Sequence, residues 1–302
     1  MRIRHLRYFL AVAEELNISR AAAKVHIEPS PLSRAVKELE NDLGVHLLQR
    51  TNGRIRLTWA GEVFREEAQR MLTFMEGART RVQAASRGYR GRLRIGLIDR
   101  LAQPQLTKLL AKCREEEPLT EVRIVEMTAK EMVNALKNDQ IDAALSVQTG
   151  FSNDFIKKVV WTDRPVIAIP KNHPLLSLEK IPLHEVTRHS LILYHPELCP
   201  GVHDAIYRGF CEFTLPLPTV AEYVSGHESM LILVAAGYGI GLGLESQVTL
   251  YHHPDVIIRH FTDEVPSAEI IISMLDKPPS EEIERFIERA IQAGETKAIN
   301  HP

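Results

Sequence analysis

The chain has 302 residues, 44% of them hydrophobic, which is enough apolar material for two or three packed domains. It contains no apolar run of the roughly 18 residues a membrane span needs and no secretion pattern, so a membrane or exported protein is not expected and a cytoplasmic one is. The net charge of −2 hides an asymmetry: residues 1–92 carry 17 Lys and Arg against 10 Asp and Glu, net +7, and the remainder carries 20 against 29, net −9. A basic head suits a phosphate backbone, and an acidic body has some other task.

Ile3, Leu6, Phe9, Leu10, Ala13 and Leu16 recur at helical spacing and predict an amphipathic first helix. Ser19 can cap a second through Ala21, Ala22, Ala23 and Val25. Ile27-Glu28-Pro29 reads as a turn, after which Ser30 and Pro31 give an N-cap and first-turn signature. Leu32, Val36, Leu39 and Leu43 then bury one face of a third helix that Gly44 ends. That stripe leaves Ser33, Arg34 and Lys37 outward, where a helix-turn-helix meets base edges. The segment 47–58 predicts a hairpin with Asn52-Gly53 at its tip and Arg50, Arg54 and Arg56 on its arms. Three helices plus a basic hairpin make a winged helix-turn-helix. The expected DNA contacts are therefore Ser30, Pro31, Ser33, Arg34, Lys37, Arg50, Arg54 and Arg56: Ser33 and Arg34 near bases, Ser30 and Lys37 on phosphate, and Arg54 or Arg56 near the minor groove.

From Trp59 to about Gly88 the chain lacks proline and reads as one long helix. Phe64, Ala68, Met71, Met75, Ala78, Val82 and Ala85 alternate in steps of four and three, a heptad seam that predicts a two-helix contact. The first six are the expected dimerisation residues. The stretch RHLRYFLAVAEELNISRAAAKVHIEPSPLSRAVKELENDLGVHLLQRTNGRIRLTWAG resembles the DNA-binding head of the LysR-type transcriptional regulators. Two departures stand out: Pro29 where the family commonly has glutamine, and Leu48-Gln49-Arg50 where it commonly has Phe-Glu-Arg. The resemblance extends over essentially the whole chain. It implies a double-stranded operator, a small-molecule effector with no other cofactor, homodimers paired into tetramers, and RNA polymerase as a candidate partner.

After residue 90 the texture becomes alternating strand and helix. Predicted strands lie at 93–98, 122–127, 142–147, 165–170, 191–194, 219–223, 240–244 and 270–275, with helices at 105–116, 129–138, 202–211, 227–236 and 281–293. Repeated βα units predict mostly parallel sheets. Two such halves resemble a periplasmic-binding-protein fold, so the fold class is α/β: a winged head at 1–58, a linker helix at 59–89 and a two-lobed effector domain at 90–302. Lobe I is expected at about 90–162 and 268–302, lobe II at about 163–267. The glycines at 237, 239, 241 and 243 match no phosphate-loop pattern and read as a helix end running into a strand.

An effector is expected between the lobes, at Arg100, Thr128, Ser146, His195, Val202 and His227. Helix N-termini at Thr128 and His227 favour an anion there. Arg100 would clamp one bidentately, or else pair with Asp99 or Glu228. No nucleophile–base motif appears, so an enzyme is not expected. Three cysteines make no disulfide framework and no zinc spacing occurs, so no metal is expected either. A thiol-redox switch through Cys199 and Cys211 is one alternative, and a plain solute-binding module, which would lack the basic head, is the other.

Overall fold

The computed structural model describes residues 1–51, 54–86, 88–98, 101, 103–148, 155–213 and 218–295. Residues 1–83 form one compact unit, and 84–137 with the chain from Ile141 onward form a second.

The first unit contains α1 (Ile3–Glu15), α2 (Ile18–Lys24), α3 (Pro29–Leu43), an antiparallel pair β1 (Leu48–Thr51) and β2 (Arg54–Leu57), and most of the 28-residue α4 (Trp59–Ser86). Leu6, Phe9 and Val12 of α1, Ala21 and Ala22 of α2, Leu32, Val36 and Leu39 of α3, and Ala68 of α4 share one buried cluster. The helix starts differ from the sequence expectation. Asn17, not Ser19, caps α2, its Oδ1 accepting from the Arg20 amide at 3.0 Å. Helix α3 begins at Pro29 with Glu28 as its extended N-cap, so Ser30 and Pro31 lie inside the first turn. The reason is that Pro29 already supplies a helical φ, and its missing N–H would have had no intrahelical partner. Leu16 sits past the end of α1 with φ 47°.

Two side chains fix the wing. Glu40 Oε1 accepts from the amides of Leu47 at 2.8 Å and Leu48 at 3.0 Å, tying the start of β1 to α3. Thr58 Oγ1 donates to the His46 carbonyl at 2.7 Å and accepts from the Gly61 amide at 2.9 Å, which caps α4. Here Gly61 is required by space, because a Cβ would fall 2.1 Å from the Leu47 carbonyl oxygen.

The second unit runs β3 (Gly91–Leu97), α5 (Pro104–Glu116), β4 (Thr120–Glu126), α6 (Ala129–Lys137), β5 (Ala143–Val147), β6 (Phe155–Asp163), β7 (Pro165–Pro170), a 3-10 turn (Pro174–Ser177), α7 (Leu183–Val186), β8 (Leu191–Tyr194), α8 (Pro200–Glu212), β9 (Val220–Val224), α9 (His227–Ala235), β10 (Ile240–Leu244), α10 (Glu245–Leu250), β11 (Val256–Arg259), β12 (Ala268–Leu275) and α11 (Glu281–Glu295). Lobe I holds the sheet β4-β3-β5-β12-β6, and lobe II the sheet β11-β7-β10-β8-β9.

The sheets are evenly mixed rather than mostly parallel. β3 runs parallel to β4 and β5, and β8 to β9 and β10. β12 runs antiparallel to β5 and β6, and β7 to β10 and β11. The cause is the chain crossing from one sheet to the other at Arg164 and back between β11 and β12. A strand that enters from the far lobe inserts against the local βα direction. Strand β6 is not among the strands the sequence predicts, because exposed Lys157 and Lys158 interrupt its apolar pattern, as suits an edge strand.

Candidate functional site

Helix α3 turns Leu32, Ala35, Val36 and Leu39 inward and leaves Ser30, Pro31, Ser33, Arg34 and Lys37 exposed. Ser30, Ser33, Arg34 and Lys37 are spaced three, four and seven apart, so they share one helical face. Among the described residues neither Arg34 nor Lys37 has an ion-pair partner. The neighbouring α2 cations are already committed: Lys24 Nζ lies 2.7 Å from Glu14, and Arg20 Nε 3.2 Å from Glu15. Arg56 is exposed on β2, opposite Gln49 of β1. Asn52, Gly53 and the side chains of Arg50 and Arg54 lie outside the described residues. Sequence reasoning missed Glu40, which nothing in the sequence distinguishes from the neighbouring acids Glu38 and Asp42.

Along α4 the apolar positions divide. Phe64 packs edge-on against Phe9, ring centroids 5.2 Å apart, and Ala68 is fully buried in the head's own core. Ala68 therefore serves the protomer's own packing, which corrects its reading as a seam residue, while Phe64 is half-buried against the same core. Met71 and Met75 are each 40% exposed, Phe74 67% and Val82 71%, with Ala78 half-buried among them. Glutamates three residues earlier neutralise Arg65 and Arg70, at 2.9 and 2.7 Å. The helix surface around the stripe is thus electrically balanced.

Between the lobes of the second unit lies a cavity of about 290 Å³ lined by Leu97, Glu126, Met127, Thr128 and Glu131 from lobe I and by Leu198 and Ser225 from lobe II. Of the six expected effector residues, Thr128 is in this lining. Arg100, with Asp99, lies outside the described residues. Val202, in the first turn of α8, is fully buried in the hydrophobic core. Ser146 is buried in β5, paired with Ile271 of β12. His195 Nδ1 accepts from the Glu197 amide at 3.1 Å while its ring meets Tyr223, and buried His227 packs on Tyr251 with centroids 4.1 Å apart.

Part of the expected anion seat at the start of α6 is filled from within. Glu131 Oε2 accepts from the Thr128 amide at 2.8 Å and the Thr128 hydroxyl at 2.9 Å, and the Glu131 amide donates back to Thr128 Oγ1 at 3.3 Å. This reciprocal capping box neutralises the helix end and holds the Glu131 carboxyl below the usual range. Sequence reasoning saw the free helix end but not Thr-x-x-Glu three residues on.

Cys199 is buried and donates from Sγ to the Ser225 carbonyl at 3.3 Å, whereas Cys211 is exposed. The intact helix α8 separates them by roughly 18 Å at 1.5 Å per residue, far beyond disulfide reach. Among the described residues no group of His, Cys, Asp and Glu could hold a metal ion, and no helix is long and apolar enough to cross a membrane.

Residues 3–62 match the bacterial regulatory helix-turn-helix family of LysR type, and residues 86–295 match the LysR substrate binding domain. The regulator BudR of Raoultella terrigena is 30% identical over 290 residues, covering 95% of this chain and 99% of BudR. CatR of Pseudomonas putida is 30% identical over 296 residues, covering 98% of this chain and all of CatR. Full-length CbnR in complex with its target DNA superposes with a TM-score of 0.75 at 25% identity, over 97% of this chain and all of CbnR. A head that exposes an uncommitted basic helix face and a two-lobed body around a cavity are the two halves of that architecture, and the chain belongs to the LysR family of DNA-binding transcriptional regulators with an effector-binding domain.

Proposed function

We propose that α3 lies in the major groove of an operator, with Ser33 and Arg34 at base edges and Ser30 and Lys37 on phosphate. Arg54 or Arg56 of the wing reaches the flanking minor groove. The observation that carries this reading is the uncommitted Arg34 and Lys37 on a helix whose opposite face is fully buried. Met71, Met75, Ala78 and Val82, joined by Phe74, form the self-association stripe of α4. Dimers present two recognition helices to two half-sites, and further pairing gives a tetramer. CbnR has been crystallised on its target DNA, which supports the same mode here.

A small molecule in the interlobe cavity shifts the equilibrium between lobe arrangements, and α4 carries that shift to the spacing of the heads. Such a regulator works in the cytoplasm and addresses RNA polymerase at the promoter. The test is quantitative footprinting on genomic fragments selected by the full-length protein. Two protected half-sites about one or more helical turns apart support the dimeric reading. A single half-site bound by a monomer overturns it.

A further inference from the structure

The cavity's charge identifies the kind of ligand it takes. Its lobe I wall carries two carboxylates, Glu126 at the end of β4 and Glu131 in α6, and its described lining contains no Lys, Arg or His. Glu131 spends only Oε2 on the Thr128 amide and hydroxyl, which leaves Oε1 as a charged acceptor. The same bonds occupy the Thr128 amide and hydroxyl. Leu97, Met127 and Leu198 supply apolar wall, and Ser225 adds one hydroxyl. A carboxylate entering this space would face two like charges on the lobe I wall. A protonated amine meets the opposite situation, because each N–H⁺···O⁻ contact is a charge-assisted hydrogen bond. The location of the site is set by the cavity within a substrate binding domain; the two glutamates set only its chemistry.

We infer that the cleft takes a small ligand bearing a protonated amine on an apolar body, with the cation on Glu126 and Glu131 and the body against Leu97, Met127 and Leu198. This rests on the cleft being the effector site.

The experiment uses the full-length protein and two pairs of probes matched in size and opposite in charge: benzylamine with benzoate, and putrescine with succinate, each at millimolar concentration. Thermal unfolding and titration calorimetry give the readout. At least one amine is expected to raise Tm by about 2 °C or more while its carboxylate partner does not. E126Q and E131Q are each expected to weaken that amine about tenfold; in E131Q the side-chain amide oxygen still accepts from Thr128, so α6 stays capped. The absence of any amine response overturns the inference. Stabilisation by a carboxylate that Ser225→Phe abolishes also overturns it, while leaving the cleft as the effector site. An amine response that survives Ser225→Phe, a change that fills the cavity, removes the cleft reading itself.

Discussion

Gln103 Nε2 donates to Asp163 Oδ2 at 2.9 Å, and this bond sits where the chain passes from one lobe to the other. Trp161 Nε1 donates to the same Gln103 through Oε1 at 2.5 Å, and Ser246 Oγ of lobe II donates to Asp163 Oδ2 at 2.5 Å. One buried carboxylate therefore joins the residue ahead of α5, the end of β6 and the start of α10. Burial pushes the Asp163 carboxyl up, and the donors from Ser246 and Arg164 oppose that without cancelling it.

Replacing Asp163 with Ala should strand the buried Gln103 donor and leave the half-buried Ser246 hydroxyl without its acceptor. Loss of hydrogen bonds to a charged acceptor, plus the desolvation cost of the orphaned donors, predicts a destabilisation of at least about 3 kcal/mol. Urea unfolding of the full chain measures it. A change under about 1 kcal/mol, roughly what one ordinary hydrogen bond contributes, would mean the junction is held by packing alone.

Arg34→Ala should cost about 1–3 kcal/mol of operator affinity and relax base preference at one position of each half-site. Lys37→Ala should instead weaken all sequences evenly and reduce the salt slope by about 0.9 for each phosphate left without its cation. Binding assays across operator variants and salt concentrations separate the two. An even loss from Arg34→Ala would show that it is a phosphate clamp only.

Met75→Glu places a charge in the exposed apolar stripe of α4, well away from the head's core residues Phe64 and Ala68. The isolated fold should tolerate it, whereas association that buries the charge should lose several kcal/mol. Sedimentation should therefore shift the protein toward monomer with unchanged helical content. Assembly identical to the parent would take the stripe out of the interface.

Acid should loosen lobe I through Glu117. Burial raises its carboxyl, but hydrogen bonds from Arg289, at 2.8 Å, and Arg285 outweigh that and lower it overall. A carboxyl lowered in the folded state stabilises fully above its unfolded value and loses that contribution as pH falls through the lowered one. Stability of the parent should decline on acidification below the ordinary carboxylate range. Glu117→Gln should be weaker at neutral pH and show a flatter acid limb in thermal unfolding across that range.

Native thiol titration should label Cys211 first, because it alone of the three described cysteines is exposed, while burial pushes the Cys113 thiol up. Mild peroxide followed by mass spectrometry should give no Cys199–Cys211 bridge. A bridge formed at the rate of DNA release would restore the redox alternative.

Local periodicity in the sequence was sufficient for the buried faces of the head helices, except at the stripe ends Ile3, Leu16 and Leu43, which are exposed. Leu32, Val36 and Leu39 fixed which side of α3 is buried and hence that Ser33, Arg34 and Lys37 face outward. The split of charge at residue 92 and the hairpin register with Leu48 opposite Leu57 follow equally from short-range pattern. Tertiary structure decided where one residue type had two physically equivalent uses. Phe64 and Ala68 fit the heptad spacing as well as Met71 does, but only three-dimensional packing assigns them to the head's core. Val202 and Thr128 both precede or open helices near strand ends, yet one turns into the core and the other lines the cleft. The chemistry of the cleft wall depended on Glu131 folding back onto Thr128, a contact that puts a carboxylate at a helix end although the helix itself is plain in the sequence. The edge strands and the antiparallel insertions arise from the chain crossing between lobes, and long-range pairing of that kind leaves no period in the sequence.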